Sequence, residues 1–351
     1  LFDCAAKCRK TGKGSTGKLH VFTDMRNVPR ESGAAGFHAG VPVPDCRAGK
    51  TGLAGRNRGT DVAFPDTAHD RPVLIAGPTA SGKSALAAEI VAKQGGVIVN
   101  ADALQVFDCW RILTARPSAA EKAGLPHRLY GHVGRGADYS VGHWLREIRA
   151  VLAEGLRPVI VGGTGLYFMA LTEGLAEVPA TPPEVRTRAD ARLRDAGLAV
   201  MVAELDPRTA SGIDLRNPAR VQRAWEVLQA TGRGLADWQS GTGSPLLPLD
   251  TAEALVLDPG RDWLTARIGH RFDSMMAAGA LDEVRAALPH WQAGAPWTRA
   301  IGAPDLVAHL RGETSLDIAV AAAKTASRQY AKRQRTWFRS RMAEWHRISL
   351  P

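Results

Sequence analysis

From residue 71 onward, short unbroken apolar runs alternate with longer stretches whose apolar positions recur every three or four residues. Val73-Leu74-Ile75-Ala76 carries no polar residue and predicts a strand over 73 to 77 that is buried on both faces. Ala85-Leu86-Ala87-Ala88-Glu89-Ile90-Val91 predicts a helix to about Lys93. Val97-Ile98-Val99-Asn100-Ala101 predicts a second buried strand ending at Asp102. Strand, helix and strand in that order make a parallel βαβ unit, and such sheets bind ligands at the carboxyl ends of their strands. Asp102 is therefore expected beside the turn that follows the first strand.

Further along, a short strand is expected over 128 to 133, and a helix from an N-cap at Ser140 to about Glu154. Pro158-Val159-Ile160-Val161 and Ala254-Leu255-Val256-Leu257 predict two more sheet strands. Between them, residues 179 to 250 are polar, helical in period and punctuated by prolines, which predicts a small helical insertion domain. After Pro259 a helix is expected with Leu264, Ile268 and Phe272 on one stripe and Arg267 and Arg271 one turn apart on another. Residues 1 to 70 are rich in Gly, Lys and Arg and show neither period, so they are expected to be a disordered extension outside the fold. The predicted class is α/β, a parallel sheet flanked by helices and built from 71–178 and 251–351, with 179–250 inserted.

Composition adds a partner to this picture. Lys and Arg number 45 against 35 Asp and Glu in 351 residues, a net charge of +10 that favours a polyanion, nucleic acid first. Lys324, Arg328, Lys332, Arg333, Arg335, Arg339 and Arg341 fall in a stretch without an acid, interleaved with Tyr330, Trp337 and Phe338. Such a helix either offers cations and aromatics to RNA or docks its aromatics on the core and leaves its charges in water. No run of about 18 apolar residues is present to cross a membrane. Four irregularly spaced cysteines suggest neither a disulfide framework nor a zinc site, which points to a reducing cytoplasm. With no long heptad pattern, a monomer is the default expectation.

The chemistry centres on Gly77-Pro78-Thr79-Ala80-Ser81-Gly82-Lys83-Ser84, which fits G-x-x-x-x-G-K-[ST] at every fixed position between a predicted strand and a predicted helix. Gly77 and Gly82 allow the backbone to approach a phosphate, Lys83 brings a positive charge, and Ser84 offers a hydroxyl to Mg²⁺. The helix N-terminus adds its own pull on an anion. This placement makes the sheet P-loop NTPase-like. The same loop serves nucleotide-binding, ATP-using proteins, so a small-molecule kinase is the competing reading. Against it, the strand at 158 to 161 runs into Gly162-Gly163-Thr164-Gly165 instead of an acid, and no arginine-rich lid is visible. Those glycines suggest backbone passing close to a ligand, with an ordinary tight turn as the alternative.

Taken in order, several segments resemble the tRNA isopentenyltransferase (tRNA dimethylallyltransferase) family. They are Gly-Pro-Thr-Ala-Ser-Gly-Lys-Ser at 77 to 84, Asp-Ala-Leu-Gln-Val-Phe at 102 to 107 and Thr-Ala-Arg-Pro at 114 to 117. Pro-His-Arg-Leu at 126 to 129, Val-Gly-Gly-Thr-Gly-Leu-Tyr at 161 to 167, Pro-Glu-Val-Arg at 183 to 186 and Arg-Gln-Tyr-Ala-Lys-Arg-Gln-Arg-Thr-Trp at 328 to 337 continue the series. The resemblance covers about residues 72 to 347.

It implies transfer of a dimethylallyl group from dimethylallyl diphosphate to N6 of adenosine 37, beside the anticodon, in tRNAs that read codons beginning with U, with Mg²⁺ required. It further implies that Asp102 is the base at the adenine amine, that Thr164 lines the channel where the substrates meet, and that Arg271 and Lys83 serve the diphosphate. Ser84 would help to hold the Mg²⁺. Asp102, Ala103, Leu104, Gln105, Thr164, Arg186, Ala219, Arg220, Val221, Gln222, Arg223, Arg299 and Gly302 match the family's tRNA-contacting positions, the last two within a segment at 299 to 304. The chain departs from the family pattern at Ala103, Phe107, Arg116, Ala303 and Pro304, where Ser, Tyr, Lys and a Tyr-[KR] pair are common.

Overall fold

The computed structural model describes residues 70–351; the extension expected over 1 to 70 lies, except for Asp70, outside the described residues. Six strands form one sheet: β1 Val73–Ala76, β2 Val97–Asn100, β3 His127–Arg128, β4 Pro158–Gly162, β5 Glu253–Pro259 and β6 His346–Leu350. Their order is β3-β2-β4-β1-β5-β6 and every pairing is parallel. All residues of β1, β2 and β4 are buried, as unbroken apolar runs require when helices cover both faces. Ala76 lies in register with Gly162 on one side and Val256 on the other, so β1 and β4 stop at one level while β5 continues to Pro259.

The helices of the sheet layer are α1 Lys83–Gln94, α2 Ala119–Gly124, α3 Val141–Ala153 and α4 Gly165–Thr172. Ser140 caps α3, its side chain accepting from the amide of His143. Five helices follow, α5 Pro183–Ala196, α6 Leu198–Ala203, α7 Pro207–Gly212, α8 Pro218–Thr231 and α9 Leu235–Gln239. They share an apolar cluster of Val185, Ala189, Met201, Leu205, Val221, Ala224 and Trp225. The chain then returns through β5 to α10 Arg261–Ala277, α11 Ala280–Ala287, α12 Ala303–Leu310 and α13 Leu316–Arg341. Leu264, Ile268 and Phe272 form the buried stripe of α10, as their spacing predicts.

Two strands differ from expectation. The strand expected over 128 to 133 is reduced to His127–Arg128, because Leu129 (φ 62°) and Gly131 (φ 59°) turn the chain out of extended geometry. Its lost length survives as a single bridge between Phe107 and Val133. Strand β6 was not predicted at all. It is an edge strand in which only Ile348 is fully buried, and so it lacks the apolar run that reveals an inner strand.

Helix α13 docks by its aromatics. Phe338 is 2% exposed in the cluster that also holds Trp144, Tyr167 and Phe168, whereas Lys332, Arg333 and Arg341 are exposed. Among the described residues no helix is long and apolar enough to cross a membrane. Phe338→Ala is expected to lower the free energy of unfolding by about 3–5 kcal/mol, read from urea denaturation. Arg341→Ala on the exposed face should stay within about 0.5 kcal/mol of the parent.

Candidate active site

The turn between β1 and α1 is built on two left-handed residues, Ala80 (φ 64°) and Gly82 (φ 93°). At Gly82 nothing would crowd a Cβ, so it is the backbone angle that calls for glycine. Gly77 is glycine for space, since a Cβ there would lie 2.8 Å from Ser81 Oγ and 3.2 Å from Leu257 Cβ. Ala80 has no such freedom, and its conformation costs roughly 1 kcal/mol. Arg267 restrains it: Nε donates to the Ala80 carbonyl at 3.0 Å while the guanidinium lies over the Trp263 ring. Lys83 opens α1 with Nζ 3.4 Å from the Pro78 carbonyl, and Ser84 is exposed in the first helical turn.

Asp102 is set by a residue that the sequence reading treated only as part of a strand. Asn100 is wholly buried at the end of β2, where its Nδ2 donates to the carbonyls of Asp102 (3.0 Å) and Leu129 (2.9 Å). Its Oδ1 accepts from the Asp102 amide at 2.9 Å. The Asp102 carboxylate accepts from the Leu104 amide through Oδ1, and its other oxygen, Oδ2, faces Gly163.

A cavity of about 620 Å³, its open mouth included, lies between these elements. Thr79, Ala80, Asp102 and Arg271 line its polar part, and Leu104, Leu113, Ile268, Phe272, Met275 and Ile301 its apolar part; Thr114, Ser327 and Tyr330 complete it. Burial lowers the Lys83 ammonium to about 8, with Asp102 opposing the shift and Arg271 adding to it. Burial also lowers Arg271, again against the pull of Asp102, and raises the phenol of Tyr330, to which Asp102 adds. Asp102 is thus the one carboxylate felt by all three. Among the described residues it forms no ion pair with either cation, which leaves both free to meet an anion.

The remaining candidates divide. Thr164 does not line the cavity; its Oγ1 accepts from the Ala103 amide at 2.9 Å and so ties the β2 and β4 loops together. Ala103 thereby contributes its backbone, and Gln105 spends its side chain on the Thr114 carbonyl at 2.8 Å. The glycines after β4 make room for protein, not for the ligand expected of them. A Cβ would lie 2.0 Å from Ala101 O at Gly162, 2.3 Å from Gln334 Nε2 at Gly163 and 2.1 Å from the Trp337 ring at Gly165. Arg186, Ala219, Arg220 and Arg299 are exposed, but Val221 is wholly buried in the cluster of α5 to α9 and Gly302 is packed against Phe272 and Ala323. Neither of those two side-chain positions is open to a partner. Gln222 bonds Asp190 at 2.7 Å, and Arg223 lies 3.7 Å from Glu226.

Among the departures, Phe107 and Ala303 are core residues, while Pro304 takes the first turn of α12, where a missing amide costs nothing. Arg116 fills the space beside Gly131, where a Cβ would lie only 1.2 Å from its Nη1, and donates to the Asp108 carbonyl at 3.1 Å. Two further residues were missed. Glu283 accepts from the amides of Arg111, Ile112 and Leu113 at 2.7–2.9 Å and fixes the loop that carries Leu113 to the cavity. Gln334 of α13 accepts from the Thr79 amide and donates to the Gly163 carbonyl, each at 2.9 Å. Only a local signal, an uncharged amide inside a basic run, pointed to it.

No group of three or more His, Cys, Asp or Glu suited to a metal occurs among the described residues. Mg²⁺ keeps most of its waters and takes few protein oxygens beside substrate phosphates. The exposed Ser84 hydroxyl at the head of α1 fits that mode.

A family model described as IPP transferase matches residues 105–341. The tRNA dimethylallyltransferase of Cereibacter sphaeroides is 74% identical over 288 residues, spanning 82% of this chain and 92% of its own. That of Dinoroseobacter shibae is 64% identical over 279 residues, 79% of this chain and 94% of its own. The full-length tRNA isopentenylpyrophosphate transferase of Bacillus halodurans superposes with a TM-score of 0.57 at 28% identity, covering 80% of this chain and 90% of that one. A eukaryotic dimethylallyltransferase solved acting on tRNA shares the fold, with a TM-score of 0.65 at 24% identity over 79% of this chain and 73% of its own.

The depressed Lys83 sets a pH dependence. An anion needs the ammonium form, which the free protein loses as pH rises through about 8. An organic diphosphate, fully ionised in that range, should bind progressively more weakly from pH 8 to 10, approaching tenfold per unit, with proton uptake on binding. Titration calorimetry in buffers of different ionisation enthalpy checks this. In Lys83→Arg the dependence should vanish.

Proposed function

The chain belongs to the IPP transferase family, and from that premise we propose that it transfers a dimethylallyl group from dimethylallyl diphosphate to N6 of adenosine 37 in tRNAs that read codons beginning with U. Membership makes it a prenyltransferase enzyme. One observation carries the finer reading: Asp102, Arg271 and the phosphate loop line a cavity whose other part is apolar, and Lys83 is near enough to feel both charges. A kinase of small polar metabolites has little use for a surface of Leu104, Leu113, Ile268, Phe272, Met275 and Ile301. A five-carbon chain does.

In this reading the lone pair of the adenine amine attacks C1 of the donor, and the C1–O bond breaks with its electrons passing to the diphosphate. The amine proton goes to the Asp102 carboxylate, which orients the nucleophile beforehand through the same contact. Lys83, Arg271 and the amides at the head of α1 absorb the charge that develops on the leaving group. Ser84 would help to hold a Mg²⁺, which would supply further neutralisation of that charge. Asn100 and the Thr164 hydroxyl hold the acid-bearing loop in place, so they shape the site without touching the reacting atoms. Adenosine 37 must leave its stack to reach Asp102. Arg186, Arg220 and Arg299, with Lys332 and Arg333 on α13, offer exposed cations to the anticodon stem-loop. We place the enzyme in the cytoplasm as a monomer.

The test is mass spectrometry of nucleosides from a tRNA transcript with an A36-A37-A38 loop, incubated with the protein, Mg²⁺ and dimethylallyl diphosphate. An adenosine carrying one five-carbon unit at N6 is expected. Its absence with folded protein, together with phosphorylation of a metabolite by ATP, would establish the kinase instead. Asp102→Ala should cost about 10²- to 10⁴-fold in turnover while tRNA affinity stays within a few-fold. Arg333→Ala should weaken tRNA binding and reduce the slope of log K against log salt by about 1. Arg335, turned toward Asp258 at 3.7 Å, should do less.

A further inference from the structure

We infer that Gln334 is a positioning residue for the transfer, holding the diphosphate cradle and the acid-bearing loop at a fixed separation. The inference rests on the reaction proposed above but concerns a residue outside its catalytic set. Gln334 is 5% exposed and comes from α13, 255 residues after Thr79 and 171 after Gly163. Its Oε1 accepts from the Thr79 amide and its Nε2 donates to the Gly163 carbonyl, both at 2.9 Å. One primary amide therefore joins the loop after β1 to the loop after β4. Glutamate has no donor for Gly163, lysine has no acceptor for Thr79, and asparagine is one methylene short of reaching both.

The first of these loops is the diphosphate cradle, and the second packs against the loop after β2 that carries the acid. Thr79 and Ala80 lie on the cavity side of the phosphate loop, and the Thr79 amide is held by Gln334. Gly163 lies beside the acid: a Cβ there would be 3.4 Å from Asp102 Oδ2 and 2.3 Å from Gln334 Nε2. Thr164, the next residue, fixes the Ala103 amide beside that acid. A displacement needs the nucleophile, C1 and the leaving oxygen in line, and a misplacement of about 1 Å can cost about 10²-fold in rate. Gln334 sits where such a misplacement would begin.

The test compares Gln334→Glu, Gln334→Met and the parent enzyme with tRNA and dimethylallyl diphosphate. Glutamate keeps the size and the acceptor for Thr79 but sets an oxygen against the Gly163 carbonyl, whereas methionine keeps only the size. Both are expected to lower kcat by about 10²-fold, with the KM for tRNA within about threefold and the thermal midpoint within a few degrees. Gln334→Glu placed on Asp102→Asn should cost little more than Asp102→Asn alone, because both act on one geometry. Two results would overturn the inference: kcat within about twofold of the parent in either folded variant, or fully additive losses in the double variant. Should Gln334→Glu fail to fold, Gln334→Met carries the comparison alone. An inactive parent would remove the transfer reaction itself, an outcome distinct from an active parent with unaffected variants.

Discussion

Parallel register is the constraint from which the site is built. Because Ala76, Gly162 and Val256 lie side by side, the loops that leave β1 and β4 start at the same height and on the same side of the sheet. The phosphate loop, the glycines after β4 and the Asp102 turn after β2 are then neighbours by construction, whatever their separation along the chain. A register shift of one residue would move each side chain of β1 to the opposite face of the sheet, into the wrong layer of helices, and scatter these loops. The apolar runs that specify register thereby specify the chemistry too.

The electrostatics of the cavity follow from what this crowding leaves over. One carboxylate stands among Lys83, Arg271 and, behind them, Arg267, so the pocket carries a surplus of positive charge in partial burial. Burial is the main cause of the lowered Lys83 and Arg271 adds to it, so an anion bound there would offset the surplus. The same arginine that supports Ala80 in its left-handed turn adds to that surplus, so loop geometry and loop charge have a common source.

The legible parts of this protein were those where one residue type does one job. β1, β2, β4 and β5 stand out as apolar runs, α10 as a stripe of Leu264, Ile268 and Phe272, and the phosphate loop as glycines around Lys83. Asp102 was legible because it follows a buried strand. Strand β6 was hidden because an edge strand needs only one buried residue, and β3 was overestimated because nothing in Leu129 announces its positive φ. The glycines after β4 did signal close approach, but their partners are Gln334 and Trp337 on a helix more than 150 residues away, beyond the reach of local pattern. Val221 and Gly302, named from resemblance, are buried; alignment marks a segment, and only coordinates say which of its side chains face out.

The span of 255 residues between Thr79 and Gln334 also has a consequence during synthesis. Ribosomes add about 5–20 residues per second, so tens of seconds separate the emergence of the phosphate loop from that of the helix that braces it. β1 likewise waits for β5, its neighbour on one side. A nascent chain therefore carries a loop able to meet phosphates long before it has a completed centre. The brace between Thr79 and Gln334 closes only once the last helix has been made.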